Sequence, residues 1–203
     1  PEGLAVHQAA VAQQPASSAA RVALGDAYRR RGRLAEAIQA YQAGLDLQPG
    51  SQAALLGLAG AQQADGRLTA AEATLQRAAA LKPGNASLYL AWGDVRWAAG
   101  DLTGAQARFQ QAVALDAGQA APLARLGALA QLQGRADDAL TFFRRAVDAD
   151  PLNLLGYIQL GQALAQAGDY TAAQATYARA AAVNRSSAVP LILSGNAYLA
   201  QTG

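Results

Sequence analysis

The 34 residues AAPLARLGALAQLQGRADDALTFFRRAVDADPLN, numbered 120–153, hold the pattern from which the architecture of the whole chain follows. They carry a glycine at Gly127, an alanine at Ala139, an aromatic at Phe143 and a proline at Pro151. Residues of these types return every 34 positions in both directions along the chain. A unit copied end to end predicts a solenoid, in which each copy buries its apolar face only against its neighbours. Two rows of glycine show the spacing: Gly25, Gly93, Gly127, Gly161 and Gly195, and Gly32, Gly66, Gly100, Gly134 and Gly168.

Each copy is predicted to be a pair of helices. Alanine, leucine and glutamine dominate the composition and aromatic residues make up only 6%, which favours helix throughout. We number the copies so that residues 18, 52, 86, 120, 154 and 188 are position 1. Positions 20, 24 and 27 then share one helical face, because they are three, four or seven residues apart. Position 20 is alanine, position 24 is large and position 27 is small: Ala37, Ala71, Ala105, Ala139 and Ala173; Tyr41, Leu75, Phe109, Phe143 and Tyr177; Gly44, Ala78, Ala112, Ala146 and Ala180.

Glycine and proline mark the turns of each copy. The glycine at position 15 follows the first helix, where a left-handed residue closes a helix C-terminus and a Cβ would be penalised. Proline at position 32 ends the second helix in Pro15, Pro49, Pro83 and Pro151. Ala117 and Arg185 replace this proline in two turns, which we expect to be less rigid.

This arrangement resembles the tetratricopeptide repeat (TPR) family over essentially the whole chain. The resemblance rests on a large residue at position 7, a small one at position 8, and the alanines, aromatics and prolines described above. The match departs at position 11, where only Tyr28 and Tyr198 supply the expected aromatic. The resemblance implies an all-α, right-handed superhelical solenoid of antiparallel helix hairpins, whose first helices line a concave groove that binds peptides or other proteins.

The register predicts one continuous solenoid domain with five complete repeats and a half-repeat at each end. Residues 1–17 form the second helix of a leading half-repeat, and residues 188–203 form the first helix of a trailing one. The complete repeats are residues 18–51, 52–85, 86–119, 120–153 and 154–187.

Composition and motifs argue against several classes of function. The chain has no cysteine and a single histidine, His7, which lies at position 24 and is expected to pack rather than to catalyse. Asp137 and Asp138 open a second helix, where acidic side chains complement the helix dipole. The net charge of +2 is too small to indicate nucleic acid, and no apolar run approaches the roughly 20 residues that span a bilayer. We predict no enzyme activity, catalytic residue, metal, cofactor, nucleic-acid partner or membrane insertion. The preference for Arg over Lys suggests a bacterial source, and the compartment stays open.

The resemblance implies that positions 2, 5, 9, 12 and 13 of the first helices face the groove. Position 5 is apolar in every copy, Asp26 and Asp94 occupy position 9, and Trp97 occupies position 12. A large aromatic there is typical of a binding hot spot, although Trp97 stacked against the neighbouring first helix is an equal alternative. The basic run Arg29, Arg30 and Arg31 is interpreted as a solvated helix end or, second, as an anion or partner contact. The candidate partner-binding residues are Leu56, Leu90, Asp94, Trp97, Arg125 and Gln131.

The trailing helix carries more apolar residues than a terminal capping helix normally does. Its counterface could be the rest of a longer array, the leading helix of another copy, or a different partner. The residues predicted to make an end-to-end contact are Leu4, Val11, Leu191, Tyr198 and Leu199.

Three functions fit this pattern. The first is a non-enzymatic interaction scaffold that binds a peptide or protein in its groove. The second is a structural subunit that stacks head to tail into a filament or other homo-oligomer, because a contact between unlike surfaces that does not close gives an open polymer. The third is the regulatory TPR arm of a larger enzyme or secretion protein.

Overall fold

The computed structural model of the chain describes residues 2–202, and the side chains of residues 3–201. Every regular element in that range is an α-helix, as the composition predicts. The helices are α1 (Glu2–Gln13), α2 (Ser18–Arg29), α3 (Leu34–Leu47), α4 (Gln52–Ala64), α5 (Leu68–Leu81), α6 (Ala86–Ala98), α7 (Leu102–Leu115), α8 (Ala120–Leu132), α9 (Ala136–Ala149), α10 (Leu154–Gln166), α11 (Tyr170–Val183) and α12 (Val189–Thr202).

The helices group into two compact units, of which the first ends at Arg108 and the second begins at Phe109, inside α7. In the first unit each helix from α1 to α6 packs against the next along the chain, and α4 also contacts α2 and α6. In the second unit α8 to α12 pack in the same sequential way, and α8 also contacts α10. The repeat boundaries and the single continuous domain that the register predicts stay predictions.

Four of the first helices begin at side-chain caps that the repeat pattern did not reveal, whereas Gln119 before α8 makes no such bond. Ser17, Ser51, Asn85 and Asn153 precede α2, α4, α6 and α10, and the side-chain oxygen of each accepts a hydrogen bond from a backbone N–H of the first turn. Such a cap satisfies one of the N–H groups that a helix start leaves unpaired. The position-15 glycines follow the ends of the first helices by two or three residues, and their φ values lie between +71° and +81°: Gly32, Gly66, Gly100, Gly134 and Gly168. This confirms the left-handed turn that the sequence predicts.

Small residues let the two helices of a hairpin approach closely. A Cβ on Gly25 would lie 2.7 Å from the ring of Tyr41, and one on Gly127 would lie 2.8 Å from the ring of Phe143. Real Cβ atoms almost never come this close to another atom, so a side chain at either position would force the helices apart. The position-20 alanines and the position-24 side chains are buried in all five complete repeats, as predicted.

The two turns that lack proline are held by side-chain hydrogen bonds of a type that also occurs in the Pro151 turn, where Asp150 Oδ1 accepts from the N–H of Leu152 at 3.3 Å. Asp116 Oδ1 accepts a hydrogen bond from the N–H of Gly118 at 3.0 Å. Asn184 Oδ1 likewise accepts from the N–H of Ser186 at 3.1 Å. Asp and Asn side chains often stabilise turns by bonding the backbone two residues on. These contacts oppose the looseness that the missing proline predicts at Ala117 and Arg185.

Among the described residues, no helix combines the length and the apolar character required to cross a bilayer.

Candidate protein-binding surface

The first unit presents an apolar row on two neighbouring first helices. Leu56 on α4 and Leu90 on α6 are both half-buried, and these helices contact each other. Their orientation is held by fully buried neighbours, among them Leu55 on α4 and Leu88 on α6. Because residues adjacent in a helix point in different directions, burial of these neighbours keeps Leu56 and Leu90 at the surface.

Asp94 and Trp97 continue the accessible face of α6. They follow Leu90 by four and seven residues, a spacing that places all three on one side of the helix. All three are half-buried, whereas Trp92 and Val95 between them are buried. The structure therefore groups Leu90, Asp94 and Trp97 on one helix face, and Trp92 lies in the core.

Arg125 and Gln131 lie on α8 in the second unit. Arg125 is exposed, and Gln131 is half-buried, with its Nε2 donating a hydrogen bond to Oε1 of Gln166. Gln131 also lines a pocket of about 190 Å³, whose other lining residues are Gly134, Ala136, Ala139, Ala163, Gln166 and Ala167. This pocket is too small for a typical ligand site, which starts near 300 Å³.

Asp26, the other acidic residue at position 9, is tied to the core of its hairpin. The hydroxyl of Tyr41 donates a hydrogen bond to Asp26 Oδ1 at 2.6 Å. Burial, and then this bond to a carboxylate, raises the pKa of Tyr41 to about 12. Asp26 thus supports the α2–α3 hairpin.

A charged network in the first unit was missed by the sequence reasoning. Arg96 Nη1 donates to Asp101 Oδ2 at 2.7 Å, and Arg96 Nη2 donates to Glu72 Oε1. Glu72 also accepts from the indole N–H of Trp92 at 3.2 Å. The backbone N–H of Gly104, and then Arg96, lower the pKa of Asp101. The signal was available, since Arg96 occupies position 11, where the family pattern has an aromatic.

Gln62 explains a second departure at the same position. Its side-chain oxygen accepts a hydrogen bond from the hydroxyl of Thr74 at 2.8 Å, which joins α4 to α5. At position 11, Gln62 therefore joins the two helices of its own hairpin, whereas Arg96 joins α6 to the preceding helix α5.

The remaining polar candidates occupy structural positions. Asp137 and Asp138 lie in the first turn of α9, as predicted, and Asp138 pairs with Arg135 at 2.6 Å. Arg29 lies in the last turn of α2 and comes within 3.9 Å of Asp26. Within the described residues, no group of three or more His, Cys, Asp or Glu side chains is arranged to hold a metal ion.

The first and last helices along the described chain leave apolar side chains exposed. On α12 the predicted contact residues Leu191, Tyr198 and Leu199 are all exposed, and the end-to-end contact stays a prediction. On α1, Leu4 and Val11 are half-buried, and Val6 is more exposed than either.

Comparison with family models assigns this architecture. A model described as tetratricopeptide repeat matches residues 29–91, 96–153 and 130–193, and a second model of the same description matches residues 1–52. The chain belongs to the tetratricopeptide repeat family. A search of curated proteins found no significant match to this TPR chain.

Solved structures share the fold at low sequence identity. The structure of the APC/C hetero-tetramer Cut9–Hcn1 matches with a TM-score of 0.79 and 21% identity over 98% of this chain, which spans 40% of that chain. Yeast Tom70 matches with a TM-score of 0.83 and 16% identity, over 98% of this chain and 43% of that chain. The structure of YrrB is described as a TPR protein with an unusual peptide-binding site. It matches with a TM-score of 0.58 and 17% identity, over 91% of this chain and 95% of that chain. At these identities the likeness shows the fold.

Proposed function

We propose that this TPR chain is a non-enzymatic scaffold that binds a peptide or protein segment on the first helices of its first unit. The observation that supports this most directly is the apolar row of Leu56 and Leu90, half-exposed on adjacent helices, with Trp97 on the same face as Leu90. TPR folds typically mediate protein–protein interaction, and the related YrrB structure is described as having a peptide-binding site.

The side chains of this surface suggest the chemistry of the partner. Half-exposed leucines gain about 25 cal/mol for each Å² of apolar surface that a partner covers. Tryptophan is among the residues most often found as interface hot spots. The carboxylate of Asp94 lies between Leu90 and Trp97 on the helix face, so it favours a basic residue beside the partner's apolar side chains. The expected partner is therefore a segment that alternates apolar and basic residues.

Arg125 and Gln131, in the second unit, are proposed as a separate polar contact. Arg125 would bind an acidic group, and Gln131 would offer an amide beside the small pocket that it lines. We expect this contact to add less affinity than the apolar row, because exposed charges are well hydrated and screened by salt.

The test begins with selection of binding peptides from a random library on the immobilised chain. For a selected peptide, calorimetry should show Trp97→Ala weakening the affinity by about 2 kcal/mol, or roughly 30-fold, which is the usual hot-spot scale. Leu90→Asp should reduce binding further, because it places a charge in the apolar row. Ala73→Asp is the matched control, since Ala73 is exposed on the second helix α5.

If selection yields no peptide, or if the selected peptides tolerate Leu90→Asp as well as they tolerate Ala73→Asp, the proposed surface is wrong. Circular dichroism of each variant would show whether the helices remain folded.

A further inference from the structure

One repeat lacks a large side chain that the other four complete repeats carry. Position 17 is the first residue of each second helix. It is leucine in the first three repeats and tyrosine in the fifth, and each of these side chains is half-buried: Leu34, Leu68, Leu102 and Tyr170. Tyr170 packs against the buried core of the second unit. In the fourth repeat the same position is Ala136, which is exposed.

The space beside Ala136 is a pocket. Ala136 lines the cavity of about 190 Å³ described above, whose lining comes from the α8–α9 hairpin and from α10. Two of the lining residues are buried alanines, Ala139 on α9 and Ala163 on α10. Leucine has three more carbon atoms than alanine, and well-packed protein interiors hold few voids larger than a water molecule. Alanine at position 17 therefore leaves space where its counterparts carry a large apolar side chain.

The walls of this pocket favour an aliphatic group. The described residues that line it are uncharged, and four of them are alanines. An apolar cavity of about 150 Å³ is large enough to bind benzene. A pocket of about 190 Å³ is therefore large enough for one aliphatic side chain. A charged side chain would lose its hydration there without gaining a counter-charge.

Two glutamines place polar groups at the edge of the pocket. Gln131 on α8 is half-buried and Gln166 on α10 is exposed, and Gln131 Nε2 donates a hydrogen bond to Gln166 Oε1. This bond orients both side chains, whose other polar atoms are an acceptor, Gln131 Oε1, and a donor, Gln166 Nε2. A peptide residue carries one N–H and one C=O. The pair therefore matches the backbone on either side of an inserted side chain.

We propose that this pocket binds a single leucine-sized aliphatic side chain of a protein partner, whose backbone bonds to Gln131 and Gln166. The chain itself indicates the occupant, because three other repeats place their own leucine at the position that Ala136 leaves small. The partner's side chain thus completes the fourth repeat from outside. This inference rests on the proposed scaffold function, since the ligand is a protein segment. It adds a side-chain preference to the polar contact proposed for Gln131.

The minimal probe is N-acetyl-leucine N-methylamide, which carries one leucine side chain with a peptide group on each side. It is titrated into the full 203-residue chain while NMR follows the alanine methyl signals. We expect saturable shifts at Ala136, Ala139 and Ala163, with a dissociation constant in the millimolar range. N-acetyl-alanine N-methylamide should bind at least about tenfold more weakly, because it has three fewer carbon atoms to bury.

Ala136→Leu is the pocket-filling variant. It supplies the residue that the first three repeats carry at this position, so the variant should fold and should unfold at a higher urea concentration. The added side chain should abolish the shifts at Ala139 and Ala163. Ala175→Leu is the matched control, because it makes the same change at an exposed site on α11, away from the residues that line the pocket. It should bind the probe like the original chain.

Gln166→Ala tests the edge of the pocket. Removing the amide should weaken binding of the leucine probe about fivefold, which is the usual effect of losing one hydrogen bond. An unchanged affinity would contradict the role of the two glutamines.

The titration is independent of the apolar row on α4 and α6. Leu90→Asp should leave binding of the leucine probe unchanged, so loss of the peptide surface in the first unit can be told apart from failure of the pocket. The pocket is overturned as a binding site if the leucine probe gives no saturable shifts up to its solubility limit, if the alanine probe binds equally well, or if the shifts persist in Ala136→Leu. A lower unfolding midpoint for Ala136→Leu would show that leucine does not fit, and it would equally contradict the proposal.

Discussion

At the scale of single residues, Tyr41 shows how one side chain links packing to electrostatics. Its ring fills the space between Gly25 and Gly57, and its hydroxyl donates to Asp26 at 2.6 Å. Burial, followed by the bond to the carboxylate, favours the neutral phenol and raises the pKa of Tyr41 to about 12. Removing only the hydroxyl separates the contribution of the hydrogen bond from that of the packed ring, because the ring would remain.

Tyr41→Phe should lower the free energy of unfolding by about 1 kcal/mol, which is the usual net contribution of a hydrogen bond. Phenylalanine fits the site sterically, since Phe109 and Phe143 are buried at the same position in other repeats. The loss stays modest because the side chain of Asp26 is 38% exposed and can be hydrated. Urea denaturation measures the change, and a loss above about 3 kcal/mol would indicate that packing is disturbed as well.

The raised pKa of Tyr41 predicts that the stability lost in Tyr41→Phe depends on pH. The folded pKa of Tyr41 is raised above its unfolded value of about 10, so the unfolded chain ionises first as the pH rises. The stability that Tyr41 contributes is therefore fully present below pH 10 and is lost as the pH rises through about 12. Thermal unfolding from pH 8 to 12 should show the original chain losing its advantage over Tyr41→Phe across this range. A difference that is independent of pH would contradict the assignment.

At the scale of elements, the turns without proline show that one repeat position can be stabilised in two ways. Proline lowers the conformational entropy of the unfolded chain and ends the helix. Asp116 instead orders its turn by accepting hydrogen bonds from the N–H of Gly118 and from Gln119 Nε2, both at 3.0 Å. The Asp116 carboxylate thus orders a turn that has no proline.

Asp116→Ala should lower the free energy of unfolding by about 0.5–1 kcal/mol, because two partly solvated hydrogen bonds are lost. The loss should appear locally, as faster amide exchange at Gly118 and Gln119. Gln110→Ala, an exposed change on α7, serves as the control. If exchange in the turn is the same in both variants, the side-chain bonds do not order it.

At the scale of the whole molecule, packing between neighbouring helices predicts local rather than uniform stability. Each helix contacts mainly those next to it along the chain, so opening one hairpin leaves distant ones intact. Within the described residues, α12 exposes more large apolar side chains than any other helix and should exchange fastest.

Ala139→Leu tests this locality. Ala139 is fully buried in the second unit, so the larger side chain should overpack the site and cost roughly 1–3 kcal/mol. Hydrogen exchange should rise in α8 and α9 and stay unchanged in α2 to α5. A uniform rise along the chain would instead indicate all-or-none unfolding.

The hairpins were predictable because they depend on short-range rules. The left-handed turn at Gly100 and the close contact at Gly127 follow from which backbone angles and distances a Cβ permits. Helical spacing likewise placed Leu90, Asp94 and Trp97 on one face without any coordinates. Backbone angles and helical spacing depend on residues close in sequence. The same residue types recur every 34 positions, so each hairpin is predicted by the same pattern.

The polar contacts were decided only by the tertiary structure. Glu72 and Arg96 lie 24 residues apart in different repeats, and Asp26 pairs with Tyr41 rather than joining a groove. Which side chains meet depends on rotamers and on the exact approach of two helices, and many partners are compatible with the same pattern. The sequence by itself therefore determined the family, the helices and the side of each helix that is exposed. Tertiary packing decided which polar groups are paired in the core, because hydrogen bonding depends on distances across helices and not on spacing along one.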